Sequence, residues 1–429
     1  MSMGLTLLVV LFLILLFLGA PTYLCLLTSA LAYFVFNPQI TSMVIMQKMY
    51  SSLDNFVLLA IPMFMLAGNI MNSGGVTVRI FDFAKKCVGH WRAGLAHVNV
   101  VASFIFSGMS GSALADVGGL GQIEMEAMRQ ENYDEGMILG VTAASATMGP
   151  IVPPSIPMVI YGAVASVSVG GLFMGGLVPG ILTMVVLCGM IWIIGRKRNY
   201  PREARSSWKD RWISFKRSFL SLLMPFIIMG GIWTGKFTPT EAAMISIWYV
   251  LVIILVVYRA MGVKRLVEIL FESVEGLVPS LCIIAGSTLF GWALQFEHFD
   301  TVLLNGFLSL TDNKYIILLL LNVLLLFAGM FLDATPVIML FVPMLLPLST
   351  AIGVHPIQMG VIVVLNLMIG LMTPPIGQSL FVMSTVTDLP FEKVIKCTTP
   401  WLIPLIITML LVTYVPGITL ALPKLLGII

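Results

Sequence analysis

The run from residue 358 to residue 386 contains no charged side chain and is long enough to cross a bilayer as a helix, yet its middle reads LMTPPIGQS, with Pro374 and Pro375 adjacent. Each proline removes a backbone donor and clashes with the preceding turn, which costs about 3 kcal/mol in an uninterrupted helix. A second apolar run repeats the feature as GPIVPPSIP, residues 149–157. The backbone groups released at such a break survive at membrane depth only where protein or a wet cavity covers them. Both breaks therefore mark candidate sites.

The rest of the chain sets the solvent. With 59% hydrophobic and 10% charged residues over 429 positions, the sequence cannot be wrapped into a water-soluble globule, and it reads as an all-α polytopic membrane protein. The first 20 residues lack a basic n-region and a small-residue cleavage site and run on into more apolar sequence, so they read as a retained span. Cys25, Cys87, Cys188, Cys282 and Cys397 show no CxxC spacing, and His90, His97, His298 and His355 no ligand spacing.

Charge orients the spans. The linker 195–217 carries nine Lys and Arg against Glu203 and Asp210, which the positive-inside rule places in the cytoplasm and which, lying between spans, is not read as a nucleic-acid site. Spans at 218–234 and 240–258 then go out and back to the basic RAMGVKR. Working backwards, 137–166 goes out and 170–194 returns, which leaves 129–136 and the basic 78–94 inside, while 296–314 is acidic and outside. Every loop agrees only if 94–128 and 315–352 each enter and leave on one side, as re-entrant hairpins. Both are broken by polar or flexible residues, the first by Asp116 and five glycines between 103 and 122, the second by Gly329, Asp333, Thr335 and Pro336.

A shift of 221 residues superposes Phe106 on Phe327, Gly108 on Gly329, Met109 on Met330, Ala113 on Ala334, Gly149 on Gly370, and Pro153 and Pro154 on Pro374 and Pro375. These identities fall on the breakers and their neighbours rather than on common Leu and Val, so the chain reads as an internal duplication. Because the loops put one hairpin's ends inside and the other's outside, the copies are expected to be inverted, as in secondary transporters whose broken helices meet near the midplane. The expected division is 1–217 (arm 78–94, hairpin 94–128, broken helix 137–166, basic linker 195–217) and 218–429 (arm 259–272, hairpin 315–352, broken helix 358–386, final helix 399–421). The two arms mix basic and apolar residues as interfacial helices do.

The segments SGMSGSALAD, GLGQIEMEAM and GPIVPPSIPMVIYG, followed by GMFLDATPVIMLFVPMLLPL and GLMTPPIGQSLFVMS, resemble the large membrane subunit of tripartite ATP-independent periplasmic (TRAP) transporters. The resemblance spans essentially the whole chain. It implies an elevator-type, sodium-driven importer of organic acid anions in the bacterial inner membrane. It also implies a separate small four-helix membrane subunit and a soluble periplasmic binding protein that delivers substrate.

Sodium is a hard cation that takes oxygen ligands, which hairpin tips and unwound segments supply from the backbone. The expected ligands are Ser107, Gly108, Gly149, Val152 and Ser155 in the first repeat and Gly329, Gly370, Thr373 and Ile376 in the second. Expected substrate contacts are Ser110, Ser112, Ser145, Ser155, Asp333, Thr335, Asn366 and Gln378, of which Ser145 and Asn366 are mates under the shift. No Lys or Arg lies in these segments, so a substrate carboxylate would rest on half-helix N-termini and hydroxyls. Sialic acid, other sugar acids and C4-dicarboxylates all remain possible. An intramembrane carboxylate needs a role. Asp116 is expected to satisfy hairpin backbone donors, and Glu124 to be solvated or at the headgroups. No cofactor beyond sodium as coupling ion is expected, and no base stands near Ser110 or Ser112 to make an enzyme. The competing reading is a standalone sodium-coupled dicarboxylate carrier that needs no binding protein.

Overall fold

The computed structural model describes residues 3–37, 39–198 and 200–429, and every regular element among them is a helix. Among the described residues, eight helices are long and apolar enough to cross a membrane, including Val169–Lys197, Trp208–Trp233 and Val263–Phe296. Shorter apolar helices, such as Gly94–Ser110 and Pro356–Gly370, fill the interior between them.

Both hairpins are present. Gly94–Ser110 ends at Gly111, whose φ of 60° is the left-handed cap that glycine adopts freely, and the chain turns back through Ser112 into Ala113–Gly118 and Leu120–Gln130. The second hairpin pairs Lys314–Phe331 with Ala334–Ala351 across Leu332 and Asp333. Both broken helices are present too: Glu135–Ala146 and Ile156–Ala165 flank the first Pro-Pro, Pro356–Gly370 and Gln378–Thr387 the second. Each Pro-Pro bond is cis.

Two hydrogen bonds show that the broken helices run in opposite directions. Near the end of the first, the Tyr161 hydroxyl donates to the carbonyl of Pro356, the first residue of the second (3.0 Å). Past the end of the second, after the short helix Phe391–Thr398 that packs on both Gln378–Thr387 and Glu135–Ala146, Trp401 Nε1 donates to the carbonyl of Gly136 at the start of the first (3.2 Å). The first hairpin's base lies at its broken helix's start, where Arg129 pairs with Glu135 (3.1 Å). The second hairpin's base lies at the opposite end, where Lys314 Nζ donates to the Gly353 carbonyl (3.0 Å), close to Pro356. The hairpins thus enter from opposite faces. Across the centre the halves exchange partners: Ile156–Ala165 packs on Ala334–Ala351, and Gln378–Thr387 packs on Ala113–Gly118.

The arms differ from expectation. In the first repeat, Val76–Val88 buries Val76, Ile80, Phe81 and Ala84 along one face and leaves its basic residues outward, which suits an interfacial helix. In the second, 259–272 is no separate arm. It opens the 34-residue helix Val263–Phe296, about 51 Å long and well beyond a 30 Å hydrocarbon core. Under the 221-residue shift this helix matches Ser42–Leu53 joined to Phe56–Ser73, and the true mate of Val76–Val88 is Phe299–Leu310. The final helix is likewise interrupted: Leu402–Tyr414 stops at Val415, and Pro416–Leu425 begins a new one.

The basic linker is strapped to the base of the first repeat. Arg198 and the Tyr200 hydroxyl both contact Asp134, Tyr200 stacks on Tyr133 (4.6 Å between centroids), and Glu203 pairs with Lys85 (2.7 Å). Asp134 also caps the first broken helix by accepting from Met137 N (3.2 Å). Burial would raise its pKa, but the hydrogen bonds from Arg198 and Tyr200 outweigh it and hold the carboxyl below the ordinary range. A depressed carboxyl stabilises above its unfolded pKa and loses that contribution as pH falls through the folded one, so the strap should hold at neutral pH and loosen below about pH 4. Hydrogen exchange across 200–207, taken relative to the intrinsic rate at each pH, should rise in that acid window in the wild type. In Asp134→Asn, which keeps a capping oxygen but no charge, it should already be raised at neutral pH.

Candidate substrate and ion site

Each hairpin tip is threaded against the break of its own repeat. A Cβ on Gly149 would stand 3.1 Å from the backbone of Ser112, and one on Gly111 2.6 Å from the Pro154 carbonyl. In the second repeat a Cβ on Gly370 would meet Gly329 backbone at 2.7 Å, and Gly377 N donates to the Met330 carbonyl (3.2 Å). These glycines let two backbones touch, as small residues do between membrane helices.

The expected ion ligands fall at these two junctions. Ser107 is buried and donates to the Ser103 carbonyl (2.6 Å), and Gly108 lies against Pro225 and Pro153. Ser155 caps Ile156–Ala165 by accepting from Met158 N (3.2 Å) and donates to the Pro150 carbonyl. Among the described residues, no hydrogen bond reaches the carbonyls of Gly149 or Val152. The second junction differs. Thr373 N donates to the Gly370 carbonyl (2.9 Å) and its hydroxyl to Ile369 (2.7 Å), while Ser379 closes the loop onto Leu371 (2.7 Å). The carbonyls of Thr373 and Ile376 receive no hydrogen bond among the described residues. Backbone oxygens without donors are thus present at both breaks.

Both tips open onto one cavity of about 260 Å³. Ser110 and Ser112 line it from the first, Asp333 and Thr335 from the second, with Pro150 and Leu371 from the breaks. Ser110 Oγ is buried and has no hydrogen-bond partner among the described residues, so it is free to meet a ligand. Ser110→Ala should therefore leave the unfolding temperature unchanged while weakening substrate binding by roughly ten- to a hundredfold, the usual worth of one hydrogen bond to a charged group.

Four expected substrate contacts, Ser145, Ser155, Asn366 and Gln378, are not among the cavity's lining residues. Ser145 is fully buried, donating to Asn99 Oδ1 (2.7 Å) and accepting from Ser103 (3.2 Å), with Asn99 bonded onward to Thr142 (2.8 Å). Its mate Asn366, also fully buried, donates to Asn322 Oδ1 (2.8 Å), which bonds onward to Thr413 (3.1 Å). Each ties a hairpin arm to its broken helix; Ser145 is satisfied there, whereas Asn366 Oδ1 has no hydrogen-bond partner among the described residues. Gln378 starts the last half-helix and is not among the cavity's lining residues. Asn322→Leu should take one partner each from the Asn366 amide and the Thr413 hydroxyl, which keep their bonds to the Ile362 and Met409 carbonyls, and should cost about 1 kcal/mol, measurable as a lower unfolding temperature.

The cavity wall opposite the tips comes from the scaffold, from Asn69, Asn72 and Ser280 with Ile61, Met65 and Ile284. Sequence reasoning missed these. Asn69 and Asn72 stand three apart on one helix face in an apolar run, a signal that could have found them.

The two acids of the first hairpin also depart from expectation. Asp116 and Glu124 are each 1% exposed, and none of their four oxygens has a hydrogen-bond partner among the described residues. Asp116 satisfies no backbone donor. Glu124 does not reach solvent or headgroups.

Oppositely directed broken helices, each capped by a hairpin tip at a common cavity, define a helical membrane permease. The chain matches the family model of the tripartite ATP-independent periplasmic transporter, DctM component, over residues 9–418. It is 46% identical over 411 residues to the sialic acid TRAP transporter large permease protein SiaM of Vibrio cholerae, covering 96% of each chain. It is 38% identical over 402 residues to the C4-dicarboxylate TRAP transporter large permease protein DctM of Pseudomonas aeruginosa, covering 94% of each. The chain belongs to the TRAP large permease family. Among solved structures, the YdaH transporter of Alcanivorax borkumensis shares the fold with a TM-score of 0.63 at 12% identity, covering 87% of each chain.

Proposed function

We propose that this chain is the large membrane subunit of a sodium-driven importer of an organic acid anion in a bacterial inner membrane. The observation that carries the reading is the single cavity shared by two opposed hairpin tips, lined by hydroxyls and one carboxylate, with unbonded backbone carbonyls at the breaks beside it. Hydroxyls and helix ends can hold an anion without a cationic side chain. Sodium held by the carbonyls offsets the charge that Asp333 brings next to an anionic substrate. Sialic acid is the favoured cargo, because the sialic acid relative is the more similar of the two described above, with C4-dicarboxylates second.

Family membership supports delivery by a periplasmic binding protein and partnership with a small membrane subunit, here taken to have four helices. The face that carries Lys85, Arg129, Arg198 and Lys396 is the cytoplasmic one by the positive-inside rule. Hairpins and broken helices would move as one unit against the scaffold, an elevator, with Val76–Val88 and the strapped linker connecting the two.

The test is uptake into liposomes that hold this chain and the small subunit, with an inward sodium gradient and labelled sialic acid. Uptake should require both sodium and the binding protein. Sodium-driven uptake of free C4-dicarboxylate by this chain alone would replace the reading with that of a standalone carrier, and sodium-independent uptake would remove the coupling.

A further inference from the structure

We propose that the cleft where the end of the first arm, the end of Val169–Lys197 and the strapped linker meet is a binding site for the headgroup phosphate of an anionic phospholipid in the cytoplasmic leaflet. The cleft encloses about 540 Å³ and is lined by His90, Trp91, Arg92, His97, Trp192 and Arg202. Three stretches of chain build it. A Cβ on the buried Gly195 would stand 3.3 Å from Cβ of Ala93, so the turn between Val76–Val88 and Gly94–Ser110 seats closely on the end of Val169–Lys197. The linker closes the third side, with a Glu203 oxygen 3.2 Å from where a Cβ on Gly89 would be. By the positive-inside rule this is the cytoplasmic face.

The chemistry of the cleft suits a phosphate. No acid is among its lining residues, and neither Arg92 nor Arg202 joins an ion pair among the described residues, while Glu203, next to Arg202 in sequence, is taken up by Lys85 (2.7 Å). His97 is only 2% exposed, and Nδ1 of both His97 and His90 is buried with no hydrogen-bond partner among the described residues. Polar groups that a fold buries without partners are costly, which favours a ligand that can meet the rings. Trp91 stands edge-on between them, its ring centroid 5.1 Å from that of His97 and 6.3 Å from that of His90. Arg196 lies over the Trp192 ring (3.7 Å) and brings a third guanidinium to the rim. Guanidinium groups present paired donors that match phosphate oxygens.

The approach to the cleft says that the phosphate belongs to a lipid. Ile181, Val185, Gly189 and Trp192 follow one another at helical spacing on a single exposed face of Val169–Lys197, and a Cβ on Gly189 would meet nothing within 4 Å, so that face carries an open notch just below the cleft. From Ile181 to Trp192 the helix rises about 16 Å, roughly the depth of one leaflet of the hydrocarbon core. The two indoles are half exposed, as tryptophans are at the headgroup level. An acyl chain can therefore lie along the apolar face while its headgroup turns into the basic cleft, the arrangement by which cationic pockets at the cytoplasmic ends of spans hold anionic lipids. A soluble phosphate would have no use for the apolar face.

Lipid binding reads this without requiring transport. The full chain, delipidated in an uncharged detergent, should bind fluorescently labelled phosphatidylglycerol saturably, and unlabelled phosphatidylglycerol should displace the label where phosphatidylcholine and inorganic phosphate at the same concentration do not. Arg92→Ala together with Arg202→Ala should weaken binding by about tenfold or more. Both side chains are exposed, so the fold should hold, and Arg92→Lys with Arg202→Lys should keep most of the affinity. Arg259→Ala with Lys264→Ala removes the same charge from the same membrane face outside the cleft and should bind like the wild type. Equal displacement by phosphatidylcholine, displacement by inorganic phosphate, or equal losses in the two alanine pairs would overturn the lipid site. None of these outcomes bears on whether the chain imports an organic anion.

Discussion

Gly370→Val should abolish uptake while the protein still inserts and assembles. The new Cβ would sit 2.7 Å from the Gly329 carbonyl carbon and 2.8 Å from its Cα, a distance that real Cβ atoms do not hold to backbone. Neither partner is a flexible side chain, so the second hairpin and its broken helix must move apart. That separation pulls the tip from the break and disperses the oxygens proposed to hold sodium. An affinity loss of only 1.4 kcal/mol is already tenfold, and separating two backbones should exceed that. Gly230→Val is the matched control, because a Cβ there meets nothing within 4 Å. Equal uptake by both variants would show that the close junction has no part in transport.

Asp333→Ala should have an effect of similar size for a chemical reason. Asp333 stands at the N-cap of Ala334–Ala351, where its side chain makes no capping hydrogen bond, and it lines the shared cavity. A capping Asp replaced by Ala costs about 1 kcal/mol through the lost cap, a cost that hardly applies here. The variant should therefore keep its unfolding temperature and lose sodium-driven uptake to background, and raising sodium should not restore it. A variant that transports normally would remove Asp333 from the site.

The breakers were legible because they violate the helical rule: Pro-Pro, hairpin glycines and intramembrane acids are improbable in lipid unless they serve something, and the Pro-Pro pairs and two of the glycines, with Phe106, Met109 and Ala113 beside them, carry the 221-residue repeat. The arm at 259–272 was misread for the opposite reason. A basic, half-apolar segment looks the same whether it lies on the membrane or extends a spanning helix beyond it, and only its continuity into 273–296 decides. Ser145 and Asn366 were drawn toward the cavity by their symmetry, but symmetry is shared equally by packing and by function. What separates the two uses is whether a partner already satisfies the side chain, as Asn99 does for Ser145 and as nothing among the described residues does for Ser110. Glu124 was misplaced because a helix's buried face depends on its neighbours, and the neighbours of Leu120–Gln130 come from Val76–Val88, Gly94–Ser110 and Glu135–Ala146.

One substrate reached from two opposed tips is the claim on which the reading depends, and thiol protection tests it most directly. In a background without the five native cysteines, Ser112→Cys and Thr335→Cys should each react with a membrane-impermeant thiol reagent in liposomes that contain the partner proteins. Sialic acid with sodium should slow both reactions together, by a similar factor and with the same concentration dependence. Protection of one position while the other reacts at its original rate would mean that the tips do not share a site.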